Sequence, residues 1–287
     1  MFHRKGIAEA KEISPSRKSL IQELKSINET STHCTDNSTA IFDLDNVVIE
    51  STQELGSDQW FVKLLNYACE IIVDQDEAIT TVLTIYHAVQ HHAEMQAVER
   101  EVSQLIKELQ EKPLPVIGLT ARGTPIMDRT LAQLKKLDID FSKHHAEKYL
   151  EFSINEISPK VAYKDGIIFC NGNDKGICLA KFFQIIEYTP EHLVMIDDKE
   201  KHLVSVNARV TCDFVGLRYS YLDQKAKTID MHKAETQLTE LEPQLDAQVR
   251  VAIAKISPLL RNSVLASLTS IPAENKPMAS HIKTIHR

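Results

Sequence analysis

Three short apolar runs punctuate the chain, and each one ends in polar side chains. Thr39-Ala40-Ile41-Phe42 leads into Asp43, Pro115 to Leu119 into Thr120, and Leu193 to Ile196 into Asp197 and Asp198. Each run has strand length without polar alternation, which is the pattern of a parallel strand covered on both faces. Between the runs the period changes. Phe61, Leu64, Leu65, Ala68 and Ile72 follow Ser57-Asp58 at helical spacing, and Val98, Val102, Leu105, Ile106 and Leu109 form a second stripe. Thr130 to Leu137 has a helical pattern, and Asn173-Asp174-Lys175-Gly176 opens an apolar helix from Ile177 to Ile186. Val161 to Tyr163 and Ile167 to Cys170 flank Lys164-Asp165-Gly166, which predicts a hairpin turn. Cys212 to Leu217 is the last expected strand. The alternation predicts an α/β fold.

The ends differ from the middle. In residues 1–38, Ser14-Pro15 supplies a helix start, and Leu20, Ile21, Leu24 and Ile27 form one short stripe. This predicts a peripheral helix and then a polar linker from Asn28 to Asn37. The core is expected in 39–50 and 113–222, interrupted by a helical insert at 51–112. Leu241, Leu245, Val249, Ile253 and Ile256 recur every three or four residues. Ser257-Pro258 restarts a helix with Leu260, Val264 and Leu268 on one face. Residues 223–270 are therefore expected to be helical and packed on the core, and 271–287 to be a polar, mobile tail.

Composition narrows the classes. The formal net charge is −7, with no basic block interleaved with aromatics, which argues against nucleic acid. No apolar run reaches membrane-spanning length, and the first 30 residues carry charge throughout, without the apolar core of a Sec-type signal. The five cysteines form no Cys-x-x-Cys pair, against a zinc ribbon or a disulfide framework. The expectation is a cytoplasmic protein, or one secreted into a host cell without a Sec signal.

The chemistry starts with Asp43 and Asp45. In a strand, residues two apart face the same side, and paired carboxylates at a buried strand end repel each other unless a cation or a protein partner compensates. The pair is either two solvated strand-end aspartates or a Mg²⁺ site with a carboxylate nucleophile and a carboxylate acid/base. Ligands of open α/β sheets sit beyond the carboxyl ends of the strands. There Asp43, Asp45, Thr120, Asp197 and Asp198 would meet. Lys175 lies near a helix start, a region that favours anions. Lys181, inside the apolar helix, is expected to reach solvent instead. His87, His91 and His92 are expected to form a solvated helix face rather than a metal site.

The ordered set Asp-x-Asp-x-Val, strand-Thr, Lys-Gly and strand-Asp-Asp resembles the haloacid dehalogenase-like (HAD) phosphohydrolase superfamily. A closer resemblance is to DUF2608, HAD-like proteins of intracellular bacteria. It is carried by Leu55 to Phe61, Leu119-Thr120-Ala121-Arg122, Asp165 to Phe169 and Gly216 to Tyr219. The resemblance implies a three-layer Rossmannoid core with a parallel sheet, a C1-type helical cap and extra terminal helices. It implies Asp43 as nucleophile, forming an aspartyl-phosphate, and Asp45 as general acid/base. Thr120 and Lys175 would bind the phosphoryl group. Mg²⁺ would be held by the Asp43 carboxylate, the Asp45 main-chain carbonyl and Asp198, with Asp197 acting through water or Lys175. Gln59 and Trp60 are either packing anchors or residues facing the leaving group. Arg122 either binds a second anionic group or forms a surface ion pair. The implied function is a Mg²⁺-dependent phosphomonoester phosphatase acting on a small metabolite or a phosphorylated protein side chain. The competing reading is an interaction or effector protein on the same scaffold, whose terminal helices bind a host partner or a membrane.

Overall fold

A computed structural model describes residues 17–143, 145 and 147–256. Among the described residues there are ten strands: β1 Ser19–Leu24, β2 Ser38–Phe42, β3 Ile49–Ser51, β4 Met95–Ala97, β5 Val116–Thr120, β6 Tyr149–Phe152, β7 Val161–Lys164, β8 Ile167–Phe169, β9 His192–Asp197 and β10 Asp213–Tyr219. Eight of them form one sheet in the order β1-β10-β9-β2-β5-β8-β7-β6, and β3 pairs with β4 separately. The first six strands of that order run parallel, and β7 and β6 are antiparallel additions. Every residue of β2 and of β5 is buried, which explains their lack of polar alternation. The register sets Phe42 beside Ile196 on β9 and Gly118 on β5. The polar residues that end these three strands therefore share one edge.

Helices alternate with the strands along the chain. They are α1 Asp58–Ile71, α2 Gln75–His92, α3 Val102–Gln110, α4 Met127–Lys136, α5 Lys175–Ile185 and α6 Glu200–Asn207. Ile41, Leu119, Met195, Leu179, Phe182 and Leu203 bury together, joining sheet, α5 and α6 in one apolar cluster. Each such side chain contributes about 1.5–3 kcal/mol. α5 and α6 lie close because Gly176 has no side chain. A Cβ there would stand 2.4 Å from the Ser205 carbonyl oxygen. The β7–β8 turn forms as expected, with Asp165 at φ 46° and Gly166 at φ 85°, the left-handed pair of a tight hairpin.

Two features differ from the sequence expectation. Residues 19–24 form a strand, not a helix, and pair in parallel with β10 from Ser19↔Phe214 to Leu24↔Tyr219. The helical-looking stripe was weak, and of the six strand residues only Leu24 is buried. The unpaired edge of β10 offers backbone partners that outweigh local preference. The second difference is organisational. Contacts divide the described residues into one unit of 17–50 and 96–224, and another of 51–95 and 225–256. α3, expected in the insert, belongs to the sheet unit. The described C-terminal helices group with α1 and α2. Within that second unit, Gln237 accepts the Leu55 N–H at 2.9 Å, and Lys255 meets Glu77 at 2.9 Å. Leu245, Val249, Ile253 and Ile256 are buried. The expected helix starts at Ser14-Pro15 and Ser257-Pro258, and the tail from Ile271, lie outside the described residues.

Candidate active site

The chain leaves β2 at Phe42, and Asp43 is fixed at once by its N–H donating to the Ile196 carbonyl at 2.9 Å. The next residues coil tightly. The N–H groups of Val48 and Ile49 donate to the Leu44 carbonyl, and Asn46 takes φ 65°. The two carboxylates therefore do not share one side of a strand, because β2 ends at Phe42 and no regular strand continues through Asp45. Asp43 turns into the molecule and Asp45 turns toward β5.

Asp43 is 4% exposed and Lys175 2% exposed. The Lys175 ammonium donates to Asp43 Oδ1 at 2.7 Å and to Asp197 Oδ2 at 2.7 Å. The Leu44 N–H also donates to Asp43 Oδ1, at 2.7 Å. Lys175 is the first residue of α5, whose start is capped by Asp174 accepting from the Ile177 N–H. Lys181 instead donates to Gln184 at the exposed side of the helix. Asp197 is fully buried, so it is not a solvated strand-end residue. It also accepts from the Lys199 N–H at 2.8 Å and faces His202 Nδ1 at 2.9 Å.

Electrostatics follow from this packing. Burial and the neighbouring Asp197 charge push the Asp43 carboxyl well above its ordinary range, against the pull of Lys175. Burial would also raise Asp197, but Lys175 and His202 hold it well below the carboxylate range. Burial disfavours the Lys175 cation, yet Asp197 and Asp43 outweigh it and the ammonium is held protonated. His202 is shifted down by burial and then by the Lys175 charge, which favours a neutral ring.

Asp45 has its own partner. Arg122 grips it with two bonds, Nε to Oδ2 at 2.9 Å and Nη2 to Oδ1 at 2.7 Å. Burial alone would raise Asp45, but the Arg122 charge and hydrogen bonds lower it. Arg122 is 4% exposed, so it is not a surface ion pair, and its donors are spent on protein rather than presented to a second anion. The Thr120 hydroxyl oxygen accepts the Arg122 N–H at 3.1 Å, which leaves the hydroxyl proton to be donated. Asp198 Oδ2 accepts from Asn46 Nδ2 at 3.1 Å.

The donor set suits a hard divalent cation. Asp43, Asp197 and Asp198 gather at the edge of β2 and β9, close enough for the charges of Asp197 and Asp198 to act on Asp43, with the buried Lys175 ammonium among them. Among the described residues, Asp43, Asp197 and His202 bring ligand atoms within 4.8 Å of one another. Asp197 is already engaged by Lys175, Lys199 and His202, and an imidazole suits Mg²⁺ poorly.

The expected residues thus separate. Asp43, Lys175 and Asp197 meet directly, while Asp45, Arg122 and Thr120 form a second group. Trp60 and Gln59 belong to the other unit. Trp60 is 1% exposed and stacks on Tyr86 with ring centroids 6.4 Å apart, the surroundings of a packed side chain. Gln59 is partly exposed at the start of α1. His91 and His92 are exposed, and His87 half-buried. His145 Nε2 lies 2.9 Å from the Val116 carbonyl oxygen, and His144 lies outside the described residues. His202 and the Arg122–Asp45 pairing went unseen in the sequence. No regular period links residues across a strand-to-helix turn or between two strands.

The family model described as "Protein of unknown function (DUF2608)" matches residues 20–250. Relatives in Chlamydia trachomatis serovar D and Chlamydia muridarum, each named "Putative outer membrane protein", are 22% identical over 166 residues. Those matches span 58% of this chain and 61% of each relative. A relative in Chlamydia pneumoniae, similarly named, is 22% identical over 66% of this chain and 70% of its own length. Among solved structures, a haloacid dehalogenase-like hydrolase from Streptococcus pneumoniae aligns with TM-score 0.41 and 16% identity, over 67% of this chain and 99% of that one. A phospho-aspartyl intermediate analogue of phosphoserine phosphatase aligns with TM-score 0.35 and 13% identity, over 67% and 98%. The core is a mostly parallel sheet in an α/β arrangement, and the family model matches more than half of the chain. The relatives' names overturn the expectation of a cytoplasmic or Sec-independently secreted protein. Among the described residues, no helix is long and apolar enough to cross a membrane.

Proposed function

We propose that this chain, which belongs to the DUF2608 family, is a Mg²⁺-dependent phosphomonoester phosphatase working through an aspartyl-phosphate on Asp43. The observation that carries the reading is the buried Asp43 carboxylate held at the carboxyl edge of the sheet by Lys175. A buried carboxylate is costly, and here it is fixed at the place where α/β folds bind ligands.

In this reading Oδ1 of Asp43 is held by Lys175 and the Leu44 N–H, and Oδ2 attacks phosphorus while the ester P–O bond breaks. Asp45 delivers a proton to the leaving oxygen, then takes one from the water that hydrolyses the intermediate. A placed acid/base contributes roughly 10²–10⁴-fold. Thr120 donates its hydroxyl to a phosphoryl oxygen, and Lys175 offsets the charge of the transferring group. Asp197 keeps Lys175 protonated and in place. Asp43, Asp198 and the Asp45 carbonyl would hold Mg²⁺, which when bound shields the phosphoryl dianion from the carboxylates. The substrate is a phosphate monoester, either of a small metabolite or of a protein side chain.

The test is a screen of sugar phosphates, nucleotides and phosphopeptides. Turnover should vanish with EDTA and return with Mg²⁺. Asp43→Asn should abolish turnover without changing the melting temperature by more than a few degrees, and should lose beryllium fluoride binding. Near wild-type turnover in Asp43→Asn would reassign the nucleophile, and turnover in fully chelated protein would remove the metal from the mechanism.

A further inference from the structure

We propose that Arg122 is the residue that positions Asp45 for proton transfer, and that Thr130 and Gln133 of α4 hold Arg122 in that role. The proposal rests on the phosphatase reading above. An aspartate on a tight coil has two freely turning side-chain torsions, and proton transfer needs its oxygen within hydrogen-bond reach of the leaving atom. Nothing in the Asp43–Lys175–Asp197 group supplies that restraint, because Lys175 bonds to Asp43 and Asp197. The restraint comes from β5 and α4. Arg122 meets both oxygens of Asp45, the fork-to-fork geometry that fixes orientation as well as distance.

The guanidinium is itself fixed. Its Nη1 donates to Thr130 Oγ1 at 3.1 Å and to Gln133 Oε1 at 2.8 Å. Thr130 is fully buried, Gln133 is 1% exposed, and Thr130 donates onward to the Ile126 carbonyl at 2.8 Å. The Arg122 N–H is tied to Thr120. One residue thus couples the phosphate-binding hydroxyl to the acid/base, with α4 behind it. A lysine could not do this, since it is a point donor without a planar fork.

The experiment compares kcat and KM for alkyl phosphates and for p-nitrophenyl phosphate, in full-length protein with Mg²⁺. A leaving group that needs a proton should suffer most. Arg122→Gln should lower kcat for alkyl phosphates by about 10–100-fold, part of the acid/base contribution, with KM within about twofold. The loss on p-nitrophenyl phosphate should be several times smaller. Arg122→Lys should restore only a part. Gln133→Leu should show the same pattern more weakly, and it carries the test if Arg122→Gln melts below assay temperature. In an Asp45→Asn background, Arg122→Gln should cost less than about twofold more, because Arg122 acts through Asp45. An equal loss on both leaving groups, a loss confined to KM, or an undiminished loss in the Asp45→Asn background would overturn the proposal. A wild-type protein inactive on every ester would instead remove the phosphatase reading, and this proposal with it.

Discussion

Lys175 sits between two buried carboxylates, and its loss would leave both without their cation. Breaking a buried ion pair by removing one partner costs about 3–5 kcal/mol, because a charge is left without its counterpart. Lys175→Met should therefore lower unfolding stability by roughly that amount, measured by urea denaturation. A change below about 1 kcal/mol would mean that water or a bound cation takes over the ammonium's task. A second residue gives a pH test far from this cluster. His192 begins β9, and its Nδ1 lies 2.9 Å from the Ser38 hydroxyl. Burial pulls it below its ordinary value of 6.5, with Asp213 opposing and His33 assisting. Its folded pKa is lower than its unfolded one, so the unfolded chain takes up the proton first. Stability from this group is complete above pH 6.5, falls as the pH drops below it, and levels off beneath the folded value. His192→Gln should flatten the melting temperature across this window, and an unchanged slope would assign the pH dependence to other groups.

At the scale of elements, the α5–α6 contact decides where Lys175 stands. Gly176 lies directly against Ser205, so Gly176→Ala would force the helices apart or twist the start of α5. Overpacking of this kind costs about 1–3 kcal/mol. The expected result is a lower melting temperature together with a fall in turnover larger than the stability loss explains, since Lys175 is the adjacent residue. Wild-type turnover in a fully folded Gly176→Ala protein would show that the ammonium tolerates helix movement. The strands β2, β5 and β9 were legible because double burial leaves continuous apolar runs. β1 was not, because an edge strand with one buried residue carries little pattern of its own.

For the whole molecule, the two units make separate predictions. Ile256 lies in a helix over the described residues 247–256 and is fully buried in the unit that contains α1 and α2. Ile256→Ala should cost about 2–5 kcal/mol in that unit. Hydrogen exchange should then quicken in α1 and α2 while amides of β2, β5 and β9 keep their protection. Uniform loss of protection would show that the molecule unfolds as one cooperative body.

The sequence by itself determined the α/β class, the strand ends that bear Asp43, Thr120, Asp197 and Asp198, the hairpin at Asp165-Gly166 and the helix start at Lys175. These follow from local burial patterns and from backbone preferences acting over a few residues. Tertiary structure alone decided that Asp45 turns to Arg122, that His202 backs Asp197, that residues 19–24 join the sheet, and that 225–256 fold with the insert. Each of those choices pairs groups tens to hundreds of residues apart. Their free energy comes from compensating buried charge, or from satisfying backbone groups on an edge. No local period encodes such contacts, so they exist only once the chain has closed on itself.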